Sequence, residues 1–162
     1  MHIIYKKNTL LYDEFKFKCS IGKRGVSSNK KEGDLKTPKG IYLLGPLFYR
    51  KDRIPKLLSK LKKIPIRKNM RWCNDKNSKQ YNKLFIDESK VSHEKMFRAD
   101  NKYDLVIVVN YNTKKVIRNK GSAIFLHLTN NYKKTQGCIA MKKKDFLILL
   151  KLINKKTKIK IL

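Results

Sequence analysis

The segment GSAIFLHLTNNYKKTQGCIAM, residues 121–141, decides how the chain is read. Its first part, SAIFLH (122–127), is an apolar run with β-forming residues and reads as a strand. His127 ends that strand, so its imidazole lies at a sheet edge or floor. A polar loop follows, and Cys138 stands eleven residues after the histidine within TQGCIA. A thiol nucleophile needs a base within hydrogen-bond reach, and histidine is the side chain that titrates near neutrality. It also needs donors for the developing oxyanion. Gly137 lets the backbone turn the N–H groups of Gln136, Gly137 and Cys138 toward one point. Thr135 is placed to orient substrate or imidazole. One cysteine and one histidine at this spacing, without further context, favour a small buried thiol, the usual state of free cysteine.

Working outward, short apolar runs dominate the chain. HIIY (2–5), TLLY (9–12) and FKFKCSI (15–21) read as strands, the last with period-two alternation. KRGVSSNKKEGDLKTPKG (23–40) is loop, punctuated by Gly25, Gly33, Pro38 and Gly40. IYLL (41–44) resumes as a strand. Residues 45–90 read as irregular, because Pro46, Pro55 and Pro65 break any long helix. Ile54–Leu61 has room for a short helix, and Met70, Trp72, Tyr81 and Phe85 predict a packed loop. SHEKMF (92–97) carries a helix start signal with Ser92 as N-cap. DLVIVVNYN (104–112) is a buried β-branched strand. DFLILLKLI (145–153) places Phe146, Leu149, Leu150 and Ile153 on one helical face. TKIKIL (157–162) alternates as an edge strand with lysines outward. The expectation is one domain spanning 1–162, mostly β (α+β), with one or two short helices.

Composition bounds the function. At 162 residues, 41% hydrophobic and 10% aromatic, the chain can bury a core. No segment approaches a membrane span. The formal charge is +29, which suits nucleic acid, an anionic membrane or an acidic polymer. Only seven of the 41 basic residues are arginine, whereas nucleic-acid readers lean on arginine for bidentate contacts. The lysines also run from residue 6 to residue 160 rather than along one element. A basic nucleic-acid-binding protein with an incidental cysteine is the alternative reading. It requires aromatics interleaved with Lys and Arg on one face, and here the aromatics fall mostly in apolar strands. The cysteines at 19, 73 and 138 and the histidines at 2, 93 and 127 form no CxxC pair and no metal-ligand spacing, so no metal and no cofactor are expected.

The strand ending in His127, the polar loop and the T-x-G-C pattern of Thr135 to Cys138 resemble the L,D-transpeptidase catalytic domain (YkuD-like). KEGDLKTPKGIY (31–42) looks like that family's upstream TP-x-G element. RWCNDKNSKQYN (71–82), SHEKMFRADNKYDLVIVVNYN (92–112) and GSAIFLH (121–127) resemble its short stand-alone branch. The order His then Cys also separates the chain from papain-type peptidases, where the cysteine comes first.

The resemblance implies a YkuD-like β-sandwich or barrel of mixed strands. It implies Cys138 as nucleophile, His127 as general base and acid, and the Gly137 and Cys138 backbone as oxyanion hole. The substrate implied is a peptidoglycan stem tetrapeptide, cleaved with loss of terminal D-alanine and formation of a crosslink, or hydrolysed as by an L,D-carboxypeptidase. Thr135, Gln136, His93 and Arg118 are the substrate-binding candidates. Two positions depart from the common pattern: Gln136 stands where many members carry histidine, and Ala140 where many carry the Arg or Asn credited with binding the substrate carboxylate. Arg118 is the candidate substitute. Peptidoglycan stem peptides are the expected partner, with no specific nucleic acid and a monomeric state. That activity implies the cell envelope or periplasm, while the opening MHIIYKKNTLLYDEF reads as no export signal, which leaves a cytoplasmic place open.

Overall fold

The structure, a computed structural model, describes residues 2–86 and 91–162. Three strands, β1 (His2–Lys6), β2 (Thr9–Tyr12) and β3 (Phe15–Ser20), form an antiparallel meander. Two-residue strands β4 (Val26–Ser27) and β5 (Thr37–Pro38) pair with each other inside the long loop. Next come β6 (Gly40–Tyr49), β7 (Lys63–Pro65), β8 (Met70–Cys73), β9 (Leu84–Ile86) and β10 (His93–Lys95). The chain ends with β11 (Leu105–Val109), β12 (Phe125–Leu128), β13 (Ile139–Met141), α1 (Lys143–Leu152) and β14 (Lys158–Ile161).

The main sheet runs β11-β12-β13-β3-β2-β1-β14-β6-β7, and β11 also pairs with β6. That last pairing closes eight strands into a ring, which removes the exposed edges an open sheet would carry. The strand that closes it is β6. Its first half pairs with β14 and its second half with β11 and β7. The register shifts where it changes partner, from Leu44 opposite Val109 to Leu47 opposite Ile107. Pro46 falls in that bulge, where a missing N–H removes no ladder bond. Gly45 is needed there, because a Cβ would lie 2.8 Å from the Asn110 side-chain oxygen and 3.1 Å from the Val108 Cβ.

Side-chain alternation separates two cores. Leu105, Ile107 and Val109 of β11 and Leu126 and Leu128 of β12 point to the barrel interior, with Ile3, Leu10, Phe17, Ile139 and Ile159. Phe146, Leu149 and Leu150 of α1 and Ile153 just after it join that cluster, as the helical spacing predicts. Val106, Val108 and Phe125 point the other way, into a second cluster with Phe48, Met70, Trp72, Met96 and Tyr103. The small sheet β10-β8-β9 supplies Met70 and Trp72 to that cluster. Two-sided cover explains why all five residues of β11 are buried.

Four local expectations are corrected. Residues 92–97 hold β10, His93–Lys95, rather than a helix: six residues are too few to sustain a helix alone, and the ladder to β8 pairs the backbone of His93, Glu94 and Lys95. Residues 54–61 are turns and extended chain, with Ile54, Leu57 and Leu61 tucked separately into the interior cluster. The 45–90 stretch is more regular than expected, since β6 continues to Tyr49 and β8 and β9 form an antiparallel pair; its last four residues lie outside the described set. β14 is not an edge strand, because it lies between β1 and β6. Its alternation reports faces correctly, with Ile159 and Ile161 buried and Lys158 exposed, but faces do not reveal neighbours.

Candidate active site

The parallel ladder between β12 and β13 sets the site. His127 lies opposite Ala140, and Cys138, two residues before Ala140, shares its face by strand alternation. Cys138, His127 and Ala140 all line one cleft of about 450 Å³ on the outer face of the barrel. A smaller cavity of about 80 Å³ also reaches Cys138.

His127 is buried, and its Nδ1 lies 2.9 Å from the Leu128 carbonyl oxygen. A carbonyl only accepts, so Nδ1 carries the proton and Nε2 keeps its lone pair. The Tyr103 ring packs against the imidazole at 5.5 Å. Burial depresses the His127 pKa to about 4, with Lys102 and Arg98 pushing the same way and the Leu128 carbonyl opposing. Burial pushes the Cys138 thiol up to about 12, opposed in part by the Phe125 backbone. The resting pair at neutral pH is therefore thiol and neutral imidazole. A thiol and a neutral imidazole are the forms from which general-base activation of a thiol starts.

A frame of hydrogen bonds holds the sulfur. The thiol donates to the Ala123 carbonyl at 3.1 Å. Ala123 has a left-handed φ of 51°, and its N–H donates to the Asn82 side-chain oxygen at 3.0 Å. Trp72 Nε1 donates to that same oxygen at 2.9 Å, while the Asn82 amide donates to the carbonyls of Tyr111 and Asn112. Asn82 is buried with these donors and acceptors all engaged, so it fixes the segment against which the thiol rests.

The 31–42 loop grips the Cys138 loop from the other side. The buried Thr37 hydroxyl donates to the Gly137 carbonyl at 2.8 Å and accepts the Gly22 N–H at 3.0 Å. Gly137 has φ 148°, and a Cβ there would stand 2.9 Å from the Lys36 carbonyl oxygen, so only glycine passes. Thr135 donates to the Cys138 carbonyl at 2.6 Å and accepts the Gly137 N–H at 3.1 Å.

These contacts revise several expected roles. The Gly137 N–H, expected in the oxyanion hole, is already bonded to Thr135. The Thr135 hydroxyl is engaged in shaping the turn. Gln136 is exposed and lines both cavities. His93 lies on β10 with Nδ1 2.7 Å from the Val91 carbonyl and its ring edge-on to Phe85, and it lines neither cavity. Its neighbour Glu94 lines both instead. Arg118 is exposed in the turn after β11 and is likewise absent from both walls.

Sequence reasoning missed Arg98, Lys102 and Tyr103, which line the main cleft with the thiol and imidazole. Arg98-Ala99-Asp100 held the only local signal, an arginine two residues from a carboxylate. Among the described residues no cluster of His, Cys, Asp and Glu is arranged to hold a metal ion. No helix among them is long and apolar enough to cross a membrane.

The crystal structure of the helical cell shape determining protein Pgp2 from Campylobacter jejuni is similar to this chain, with a TM-score of 0.56 at 18% identity. The match covers 99% of this chain and 46% of that one, so this chain spans under half of that protein's length. No curated protein matches. A family model described as the L,D-transpeptidase catalytic domain, YkuD, matches residues 1–161. With that match over nearly every residue, the chain belongs to the YkuD L,D-transpeptidase catalytic domain family.

Proposed function

We propose that residues 1–162 form a cysteine-dependent L,D-transpeptidase domain acting on peptidoglycan stem tetrapeptides. The observation that carries this reading is the placing of Cys138 and His127 on one face of one cleft, with the His127 tautomer set by the Leu128 carbonyl. Cys138 sulfur attacks the carbonyl on the L-configured side of the L–D bond as its proton passes to His127 Nε2. The tetrahedral oxyanion takes the Cys138 backbone N–H. Collapse expels the amine of the terminal D-alanine, which leaves with the proton returned by His127. The thioester then passes to an incoming amine, whose proton His127 removes, restoring the thiol and forming a new amide. An amine on a neighbouring stem gives a crosslink, a free D-amino acid gives exchange, and water gives a carboxypeptidase.

The likeness to a cell shape determining protein supports a role in shaping the wall, and the proposed substrate supports the cell envelope as the place of action. Mass spectrometry of purified muropeptides incubated with the protein tests the reading. The expected result is conversion of tetrapeptides to tripeptides or crosslinked dimers, abolished in Cys138→Ala with the melting transition retained. Full activity in that variant rules the mechanism out.

A further inference from the structure

We propose that Arg98 is the specificity-determining residue that reads the free terminal carboxylate of the peptide in the Cys138 cleft. The inference rests on the transpeptidase reading and assigns the carboxylate contact that Ala140 cannot make. Ala140 presents a methyl group opposite His127, where a charged side chain would otherwise stand.

Arg98 is built for the task in three ways. Its backbone is gripped, because Arg50 donates to the Arg98 carbonyl at 2.7 Å and Arg53 donates to the carbonyls of Ala99 and Asp100, each at 3.0 Å. Its guanidinium is oriented, because Nε and Nη2 donate to the two Asp100 carboxylate oxygens at 2.8 and 2.7 Å. Its central carbon lies over the Tyr103 ring, 5.1 Å from the centroid, and Tyr103 in turn packs on His127. Two of five guanidinium N–H groups are thus used, and the others have no partner among the described residues. An oriented fork with spare donors suits a carboxylate better than a flexible ammonium does. Exposed Lys23, Lys102, Lys133 and Lys134 line the same cleft, and Glu94 is its one acid among the described residues. The field there favours an anion.

The chemical consequence is a register. A carboxylate held at Arg98, in the cleft that Cys138 and His127 also line, is expected to register the bond one residue from the chain end, so a free terminus is required.

The test uses the full chain carrying Cys138→Ala, which binds without turnover. Calorimetry compares a synthetic stem tetrapeptide with its C-terminal carboxamide. The expected result is tighter binding of the acid by roughly tenfold or more, as for a hydrogen bond to a charged group. Adding Arg98→Gln should bring the ratio to about one by weakening the acid alone, and Arg98→Lys should restore it only in part. Arg118→Gln, which removes the same charge away from the cleft, should leave the ratio unchanged. Equal binding of acid and amide before Arg98 is altered overturns the proposal, as does a preference that survives Arg98→Gln. If the acid is preferred through Arg98 but wild-type protein releases no D-alanine from it, the Arg98 assignment stands and the transpeptidase reading falls.

Discussion

Cys19 and Cys138 occupy opposite faces of the same barrel wall, and their difference isolates what the proposed site adds to a buried thiol. Both thiols are pushed up to about 12 by burial. Cys19 points into the interior cluster among Phe17, Ile21 and Met141. Cys138 faces outward into a cleft it shares with an imidazole whose lone pair is available. Burial alone therefore marks neither thiol as a nucleophile. What distinguishes Cys138 is an imidazole in the same cleft, a carbonyl that orients its proton and open space beside it.

The largest expected effect breaks this comparison directly. Cys138→Ala should remove all detectable D-alanine release, whereas Cys19→Ala should keep turnover and cost about 1 kcal/mol of stability from the small cavity left. Equal losses of turnover would show the two thiols to be interchangeable in kind. Next in size, His127→Asn should lower turnover by roughly 10²–10⁴-fold while leaving the fold intact, as expected on losing a positioned base. Steady-state release of D-alanine by the two proteins checks it.

A thermodynamic signature should follow from the same buried imidazole. Its pKa in the fold, about 4, lies below the ordinary 6.5. The stability it permits is thus present above 6.5 and is lost as pH falls toward 4. Between pH 7 and pH 5, where carboxylates stay ionised, the wild type should lose roughly 2 kcal/mol by urea unfolding. His127→Asn should be nearly flat over that range, and a slope retained in the variant would assign it to another group.

The smallest effect sharpens the role of the clamp behind Cys138. Thr37→Val keeps shape but strands the Gly22 N–H and the Gly137 carbonyl, costing about 1–2 kcal/mol. Turnover should fall as well, because the Gly137 carbonyl is released from its hold. An unaltered unfolding midpoint would remove Thr37 from the frame.

Much of the barrel was legible because strand alternation is local. The periodicity of β1, β2, β3, β11 and α1 could be read residue by residue, and Phe146, Leu149, Leu150 and Ile153 lie where a helical face requires. The failures share a cause. β10 was read as a helix because the Ser92 start signal is local, while the β8 ladder that overrides it comes from residues 70–73. β14 reads as an edge from its own residues because outward lysines say nothing about the strands beside it. The same limit governs the site. His93 and Arg118 were candidates by type and nearness in sequence, but the β8 pairing and the turn after β11 carry them away from the cleft. Asn82 gave no signal at all, since its role exists only where Trp72, Ala123 and Tyr111 converge.

By itself, the sequence determined the family to which the order of its motifs belongs and marked the residues proposed to carry the chemistry. His127, Gly137 and Cys138 fall within eleven residues, and the Thr37-Pro38 element lies upstream of them. Only the tertiary structure decided how those residues are held. It spends the Gly137 N–H on Thr135, sets the His127 tautomer through Leu128 and brings Arg98 to the cleft. The physical reason is that residue type and period are properties of a segment. Hydrogen-bond partners and the field around a thiol are instead properties of whatever distant strands close around it.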